Sequence, residues 1–390
     1  MNFDEIIDRR GTHSTKWDKM EAIYGVSAED GLPMWVADTD FRAPKVVQDT
    51  VRNMADHGIF AYADYSAEYT GAIRWWMQNR HGWTVERDWI FTTTGLVNGV
   101  GMCLDAFTDP GDGIVLFTPV YHAFAKVIRN AGRKVVECGM PIEDGLYRMD
   151  FDAWDAQMTG AEKMVILCSP HNPGGRVWTR AELQGIADFC KRHDLLLISD
   201  EIHHDLVFPG HKHIPMTMVD PSVNDRVIML TAPSKTFNVA GLHTGNVIIP
   251  DDGLRARFAA RMSALNLAGN SVGEAVAAAA YSPEGAAWVD ELMVYLDTNR
   301  KIFDAAIDDI PGLKSMPLQA TFLAWVDFSG TGMAREEFTA RVEQQARIAA
   351  NHGPTFGLGG DNFLRFNLGT QRARIEEACD RLMAAFSDLQ

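Results

Sequence analysis

Between about Trp89 and Pro250, short apolar runs alternate with stretches in which apolar residues return every three or four positions. The runs are "WIFTTT", "GIVLFT", "KVVEC", "KMVILCS", "LLLISD", "RVIMLT" and "GNVIIP". Several are apolar throughout instead of alternating, as expected of strands covered on both faces. The stretches between them predict helices. "TRAELQGIADFCKRH" opens on Thr179 with Glu182 three residues later, the pattern of a capping box. Repeated βα units predict an α/β fold with a mostly parallel, seven-stranded sheet and helices on both sides.

After about Pro283 the pattern changes. A long helical stretch, "EGAAWVDELMVYLDTNRKIFDAAI", leads to a strand ("TFLAWVDF"), a helix, a second strand ("FLRFNLG") and a terminal helix. This reads as a smaller α+β domain. The expected division is a large domain over 45–283 and a small one over 284–390, with residues 1–44 joining the small domain.

Composition narrows the function. The chain has 390 residues, enough for a large core and two domains. A formal charge of −16 without any basic run argues against nucleic acid as a partner. Five scattered cysteines, Cys103, Cys138, Cys168, Cys190 and Cys379, include no CxxC pair, so a reducing compartment is expected. The start "MNFDEIIDRRGTHSTKWD" lacks the apolar core of a signal peptide, and "AVAAAAY" is too short to cross a bilayer. The expectation is a soluble, cytoplasmic protein with no membrane partner.

Ligands of open α/β sheets bind beyond the carboxyl ends of the strands, so the residues there carry the chemistry. After "WIFTT", "TGLVNGVG" puts a glycine turn at a helix start, which can hold an anion or simply begin the helix. After "GIVLFT", Tyr121 could stack on a flat ring or cover the sheet. After "KMVILCS", "PHNPGGRVW" makes a constrained loop around Asn172, able to steady an amide against a ligand. Asp200 ends the apolar strand "LLLISD", where a carboxylate needs a cationic partner. His203, His204, Asp205, His211 and His213 offer metal ligands, but no HExxH or HxxEH spacing occurs. Adjacent histidines on an extended segment would also point to opposite faces. Lys235, in "APSKTF", is a candidate amine nucleophile whose pKa burial would lower; a Lys235–Asp200 ion pair is the alternative. Arg365 lies on an apolar strand, where an arginine usually holds a carboxylate of the protein or of a substrate.

An amine, a carboxylate, an aromatic plate, an amide and an anion turn together describe pyridoxal 5′-phosphate (PLP). The stretches "GLPMWVADTDF", "PHNPGGRVWT", "SDEIHHDLVF", "APSKTFNVAGL" and "LRFNLGT", in this order, resemble the fold-type I PLP enzymes of the class I/II aminotransferase group, nearest the cystathionine β-lyase (C–S lyase) branch. The resemblance runs from about Trp17 to the last helix. It implies that Lys235 bonds the cofactor aldehyde, Asp200 pairs with the ring nitrogen, Asn172 with the ring hydroxyl oxygen, and Tyr121 stacks on the ring. Gly95, Leu96 and Ser234 would hold the phosphate, Arg365 the substrate α-carboxylate, and Trp35 and Val36 would line the substrate side. Tyr62 resembles the tyrosine that reaches the neighbouring subunit's phosphate, implying a homodimer with shared sites. His203 stands where many aminotransferases have a tyrosine, as in the lyase branch. His243 stands where they commonly carry a phosphate-binding arginine.

The implied reaction removes the substrate Cα proton with the Lys235 amine. Loss of a thiolate from Cβ then gives thiol, pyruvate and ammonia, as from L-cystathionine. An aminotransferase uses the same residues and is the alternative; a metal-dependent hydrolase built on the His-rich segment is the distant one.

Overall fold

The computed structural model describes residues 1–389. Its strands, in chain order, are β1 (Leu32–Met34), β2 (Ile90–Thr93), β3 (Gly113–Thr118), β4 (Lys134–Gly139), β5 (Ile142–Glu143), β6 (Leu146–Tyr147), β7 (Glu162–Cys168), β8 (Leu196–Asp200), β9 (Val227–Thr231), β10 (Gly245–Ile248), β11 (Lys314–Ser315), β12 (Leu323–Asp327), β13 (Ile348–His352) and β14 (Phe363–Asn367). All seven apolar runs of the central region are strands of one sheet, in the order β2-β10-β9-β8-β7-β3-β4. Pairing is parallel from β9 through β8, β7 and β3 to β4. β10 is antiparallel to both its neighbours, β2 and β9.

The unbroken apolar character of these strands has the expected cause. Ile114, Leu116, Ile166, Ile198 and Ile228 face one core, together with Leu96, Val100, Phe124 and Phe258 from helices. Val115, Phe117, Val165, Leu167 and Leu197 face the other, with Trp154, Leu183, Ile186 and Phe189. Each such side chain contributes roughly 1.5–3 kcal/mol when fully buried. Both faces are therefore held against slippage, because moving a strand by one residue would exchange its two sets of side chains. The helix Arg180–Arg192 begins with the capping box of Thr179 and Glu182.

The second sheet has the order β1-β13-β14-β12-β11. β1 comes from the N-terminal segment and pairs in parallel with β13, Leu32 opposite Ile348. The sequence pattern predicts β12 and β14 but neither β13 nor β1. "IAANH" is short and rich in Ala and Asn, which favour strands weakly, and the turn before it uses Arg347 at φ 57° instead of Gly or Pro. The helix Pro283–Asp308 joins the sheets, starting from a Ser282 cap that accepts from the Gly285 N–H. Its fully buried Asn299 donates to the carbonyls of Leu368 (3.1 Å) and Thr370 (2.8 Å), tying the helix to the end of β14. No helix among the described residues is long and apolar enough to cross a membrane.

Asn299→Ala leaves the buried Thr370 carbonyl without a donor among the described residues and takes one of two donors from the Leu368 carbonyl. It should lower the unfolding free energy by about 1–3 kcal/mol, measured by urea denaturation followed by far-UV circular dichroism.

Candidate active site

Five strand ends converge on one cavity of about 270 Å³. β2 is followed by Gly95, at φ 86° and ψ 164°, a conformation open only to glycine. The helix Leu96–Phe107 starts there, and its first N–H groups have no intrahelical acceptor. Gly245 on the neighbouring strand β10 packs against this turn: a Cβ there would lie 2.7 Å from Leu96 Cδ2 and 2.9 Å from the Gly95 carbonyl carbon. Tyr121 follows β3 and precedes the helix His122–Asn130. Asn172 follows β7, Asp200 ends β8, and the one-turn helix Pro233–Thr236 after β9 carries Ser234 and Lys235. Gly95, Leu96, Tyr121, Asn172, Asp200, His203, Ser234, Lys235 and His243 all line this cavity.

Charge is held here at a cost. Asp200 is buried, and its Oδ1 accepts from the Ile202 N–H at 3.1 Å, its one side-chain hydrogen bond among the described residues. Burial pushes its pKa up to about 7. Lys235 Nζ donates to the Ala37 carbonyl at 2.6 Å. Burial, partly opposed by Asp38, pulls its pKa down to about 8. Among the described residues, no ion pair within 4.0 Å joins Lys235 and Asp200. A plain salt bridge, the alternative left by the sequence, is thus not what these groups form.

Arg365, only 2% exposed, lies beside the cavity on β14. Its Nη1 donates to Asn172 Oδ1 at 2.9 Å, and its Nη2 donates to the Trp35 carbonyl at 2.8 Å and to Asn351 Oδ1. Its Nε has no partner, and the acceptors are all neutral. Burial pulls its pKa down to about 10. The Phe356 ring lies under the guanidinium at 5.0 Å.

Two expected placements differ. Trp35 and Val36 do not line the cavity; Ala37 does. The Trp35 indole turns away and donates to the Lys16 carbonyl at 2.9 Å. It is the backbone of this strap that faces the site, with Trp35, Val36 and Ala37 offering carbonyls to Arg365, Asn367 and Lys235. Asn238 pins the strap by donating to the carbonyls of Thr39 and Phe41, both at 2.9 Å. Tyr62 lies outside the cavity and is fully exposed.

The His-rich segment is a turn, with the His204 N–H bonded to the Glu201 carbonyl, and not the extended stretch assumed from sequence. His203 faces the cavity, while His204 joins His81, His213, Glu201 and Asp205 in a buried cluster with metal-like spacing. The carboxylates in it are already engaged. Glu201 accepts from Ser199 Oγ (2.9 Å), the Met216 N–H (2.9 Å) and His213 Nε2 (2.7 Å). Asp205 likewise accepts from Trp76 Nε1, His81 Nε2 and Thr236 Oγ1, so both carboxylates are held by donors of the protein itself.

The cavity residues fit PLP. Buried polar atoms await partners there: His203 Nδ1 has none, and burial keeps that imidazole neutral by pulling its pKa well down. Asn172 spends its Oδ1 on Arg365, leaving its amide N–H groups as donors. A buried amine, a buried carboxylate and a helix start with Ser234 beside it complete the set. Ala37, Asn238 and Asn351 do not stand out individually in the sequence; Ala37 acts through its carbonyl and the two asparagines through side-chain amides that only the fold brings to the site.

The elevated pKa of Asp200 has a measurable consequence in cofactor-free protein. Its unfolded value is near 3.8 and its folded value about 7, so the folded form binds the extra proton between them. The stability this gives is lost as pH rises through 7. Asp200→Asn should therefore raise the melting temperature of the cofactor-free chain more near pH 8 than near pH 5, in paired thermal melts.

Comparison with known proteins places this arrangement. The profile of the family "Aminotransferase class I and II" matches residues 36–382. The chain is 38% identical to cystathionine beta-lyase PatB of Bacillus subtilis (strain 168), covering 99% of this chain and 100% of that one. It is 30% identical to the protein MalY of Escherichia coli (strain K12), covering 98% of each. The crystal structure of cystalysin from Treponema denticola, described as containing a pyridoxal 5′-phosphate cofactor, superposes with a TM-score of 0.94 at 35% identity, covering 100% of this chain and 99% of that one. The chain belongs to the aminotransferase class I and II family.

Proposed function

We propose that this protein is a PLP-dependent C–S β-lyase. It would cleave L-cystathionine or related S-substituted cysteines to a thiol, pyruvate and ammonia. The observation that carries the reading is a buried amine and a buried carboxylate lining one cavity without pairing, beside a buried arginine with no acidic partner. The likeness to PatB favours elimination over transamination.

When bound, PLP supplies an aldehyde that condenses with amines and a ring that takes up electrons from the substrate Cα. The chain's own residues do the rest. Lys235, with a pKa of about 8, has a substantial neutral fraction near neutral pH. It can therefore act as nucleophile and as the base that takes the Cα proton. Asp200 holds a proton at the ring nitrogen; a cation placed there would keep the carboxylate charged despite burial. Asn172 donates to the ring hydroxyl oxygen, its amide oriented by Arg365. Tyr121 would stack on the ring, with His203 lining the same cavity. Gly95, Leu96 and Ser234 would bind the phosphate; His243 lines the same cavity. Arg365 takes the substrate α-carboxylate and fixes the Cα–H bond relative to Lys235.

The cofactor domain is residues 45–283, and residues 1–44 and 284–390 form the smaller unit, in keeping with β1 pairing to β13. The working form is a homodimer in which Tyr62 reaches the partner's phosphate. Ile59 (66% exposed), Phe60 (69%) and Tyr62 form an apolar stretch that a second copy would cover.

Lys235→Ala should abolish the visible band of covalently bound cofactor, and borohydride reduction of the unaltered protein should leave the cofactor on the peptide containing Lys235. L-Cystathionine should release pyruvate without any added keto acid; release that strictly needs one identifies an aminotransferase. Arg365→Ala should raise KM for L-cystathionine roughly ten- to hundredfold, as expected for losing a charged hydrogen bond of about 1.5–3 kcal/mol.

A further inference from the structure

The helix carrying Lys235 is a single turn, Pro233–Thr236. A helix this short has no stability of its own, so contacts from outside set where it sits. Among the described residues, two side-chain hydrogen bonds leave it. Lys235 Nζ donates to the Ala37 carbonyl at 2.6 Å. Thr236 Oγ1 donates to Asp205 Oδ2 at 2.8 Å. The first must be given up whenever the amine reacts. The second does not depend on the state of the amine and ends in the core of the large domain.

Asp205 is built to hold that bond. Its carboxylate is buried and also accepts from Trp76 Nε1, at 3.0 Å to Oδ1 and 3.2 Å to Oδ2, and from His81 Nε2 at 2.9 Å. His204 Nε2 lies 3.1 Å from Oδ2. Trp76 is itself packed against Phe237, the residue after Thr236, at 5.4 Å between ring centroids. Asp205 also lies on the turn that follows β8, five residues beyond Asp200. One short segment therefore presents one carboxylate to the cavity and a second to the lysine's helix.

We propose that Asp205 is a positioning residue for Lys235: acting through Thr236, it locks the lysine turn to the segment bearing Asp200, so that amine and carboxylate keep a set separation across the cofactor. The inference rests on the reading of Lys235 as the cofactor-bonding amine. It assigns the buried His–Asp cluster a place in catalysis without a metal and without contact with the substrate.

The test uses the holoenzyme. Thr236→Val removes the hydroxyl and keeps the branched shape; Thr236→Ser keeps the hydroxyl. The first readout, without substrate, is the pH midpoint of the bound cofactor's visible band. The groups facing Lys235, namely Asp38, Asp200 and Arg365, are untouched in both variants. Thr236→Val should bind PLP yet shift that midpoint by about half a unit or more. Its kcat on L-cystathionine should fall about tenfold or more with KM within about twofold, the effect of a small misplacement of the amine. Thr236→Ser should restore both values. An unchanged midpoint and kcat in Thr236→Val, even with a lowered melting temperature, would overturn the proposal by showing a purely structural bond. Should Thr236→Val not accumulate as folded protein, Thr236→Ala reads the same two quantities. Failure of the parent reading looks different: Lys235→Ala would then keep the covalent band, whatever Thr236 does.

Discussion

A carboxylate and an amine of opposite preference share one buried cavity, and the surrounding structure keeps them from meeting. Left free at low dielectric, Asp200 and Lys235 would gain by closing into an ion pair. They do not: Lys235 Nζ is bonded to the Ala37 carbonyl and Asp200 Oδ1 to the Ile202 N–H, and each residue is carried by backbone tied into the sheet. Asp200 ends β8, an interior strand hydrogen-bonded on both sides to β7 and β9. Lys235 follows β9 on a turn fixed at one end by the sheet and at the other by Thr236 and Asp205. The two apolar cores on the faces of the sheet supply the rigidity, and the unfavourable burial of both groups is the part of that stability given over to chemistry.

The same logic governs the other cation. Arg365 is fixed in direction by Asn172, Asn351 and the Trp35 carbonyl, all neutral, so its charge is oriented but not neutralised. The strap from Trp35 to Phe41 links the two cations, since carbonyls two residues apart on it, those of Trp35 and Ala37, accept from Arg365 and from Lys235. Asn238 holds that strap at the Thr39 and Phe41 carbonyls, and Asn367 from β14 holds it at those of Val36 and Asp38. The placements of the guanidinium and of the amine therefore share a mechanical element, although their residues lie 130 positions apart, at 235 and 365.

Much of the site was legible in the sequence for one reason. A strand buried on both faces has no use for polarity, so the polar residue that ends it stands out: Asp200 after "LLLIS", Asn172 beyond "KMVILCS", Lys235 beyond "RVIMLT". Arg365 stood out in the same way within "FLRFNLG". Residues whose contribution is a backbone carbonyl or an amide bridge gave no such contrast. Ala37 is apolar in an apolar setting, Asn351 sits on a strand of weak propensity, and Trp35 drew notice for a side chain that in fact points elsewhere. The histidines stand out too, as metal ligands by residue type, while in the fold their carboxylate neighbours accept hydrogen bonds from the protein's own donors.

Local pattern alone determined the α/β class, the seven strands of the main sheet, the strand-end chemistry and the resemblance that joins them, because each depends on which residue types neighbour one another along the chain. Strand order, the reversed direction of β10, the union of β1 with β13 and the separation of Asp200 from Lys235 depend on pairings between distant segments. Such pairings are selected by packing of the whole core, and no short window of sequence contains them. Only the tertiary structure could show that the lysine and the aspartate face a shared cavity instead of each other.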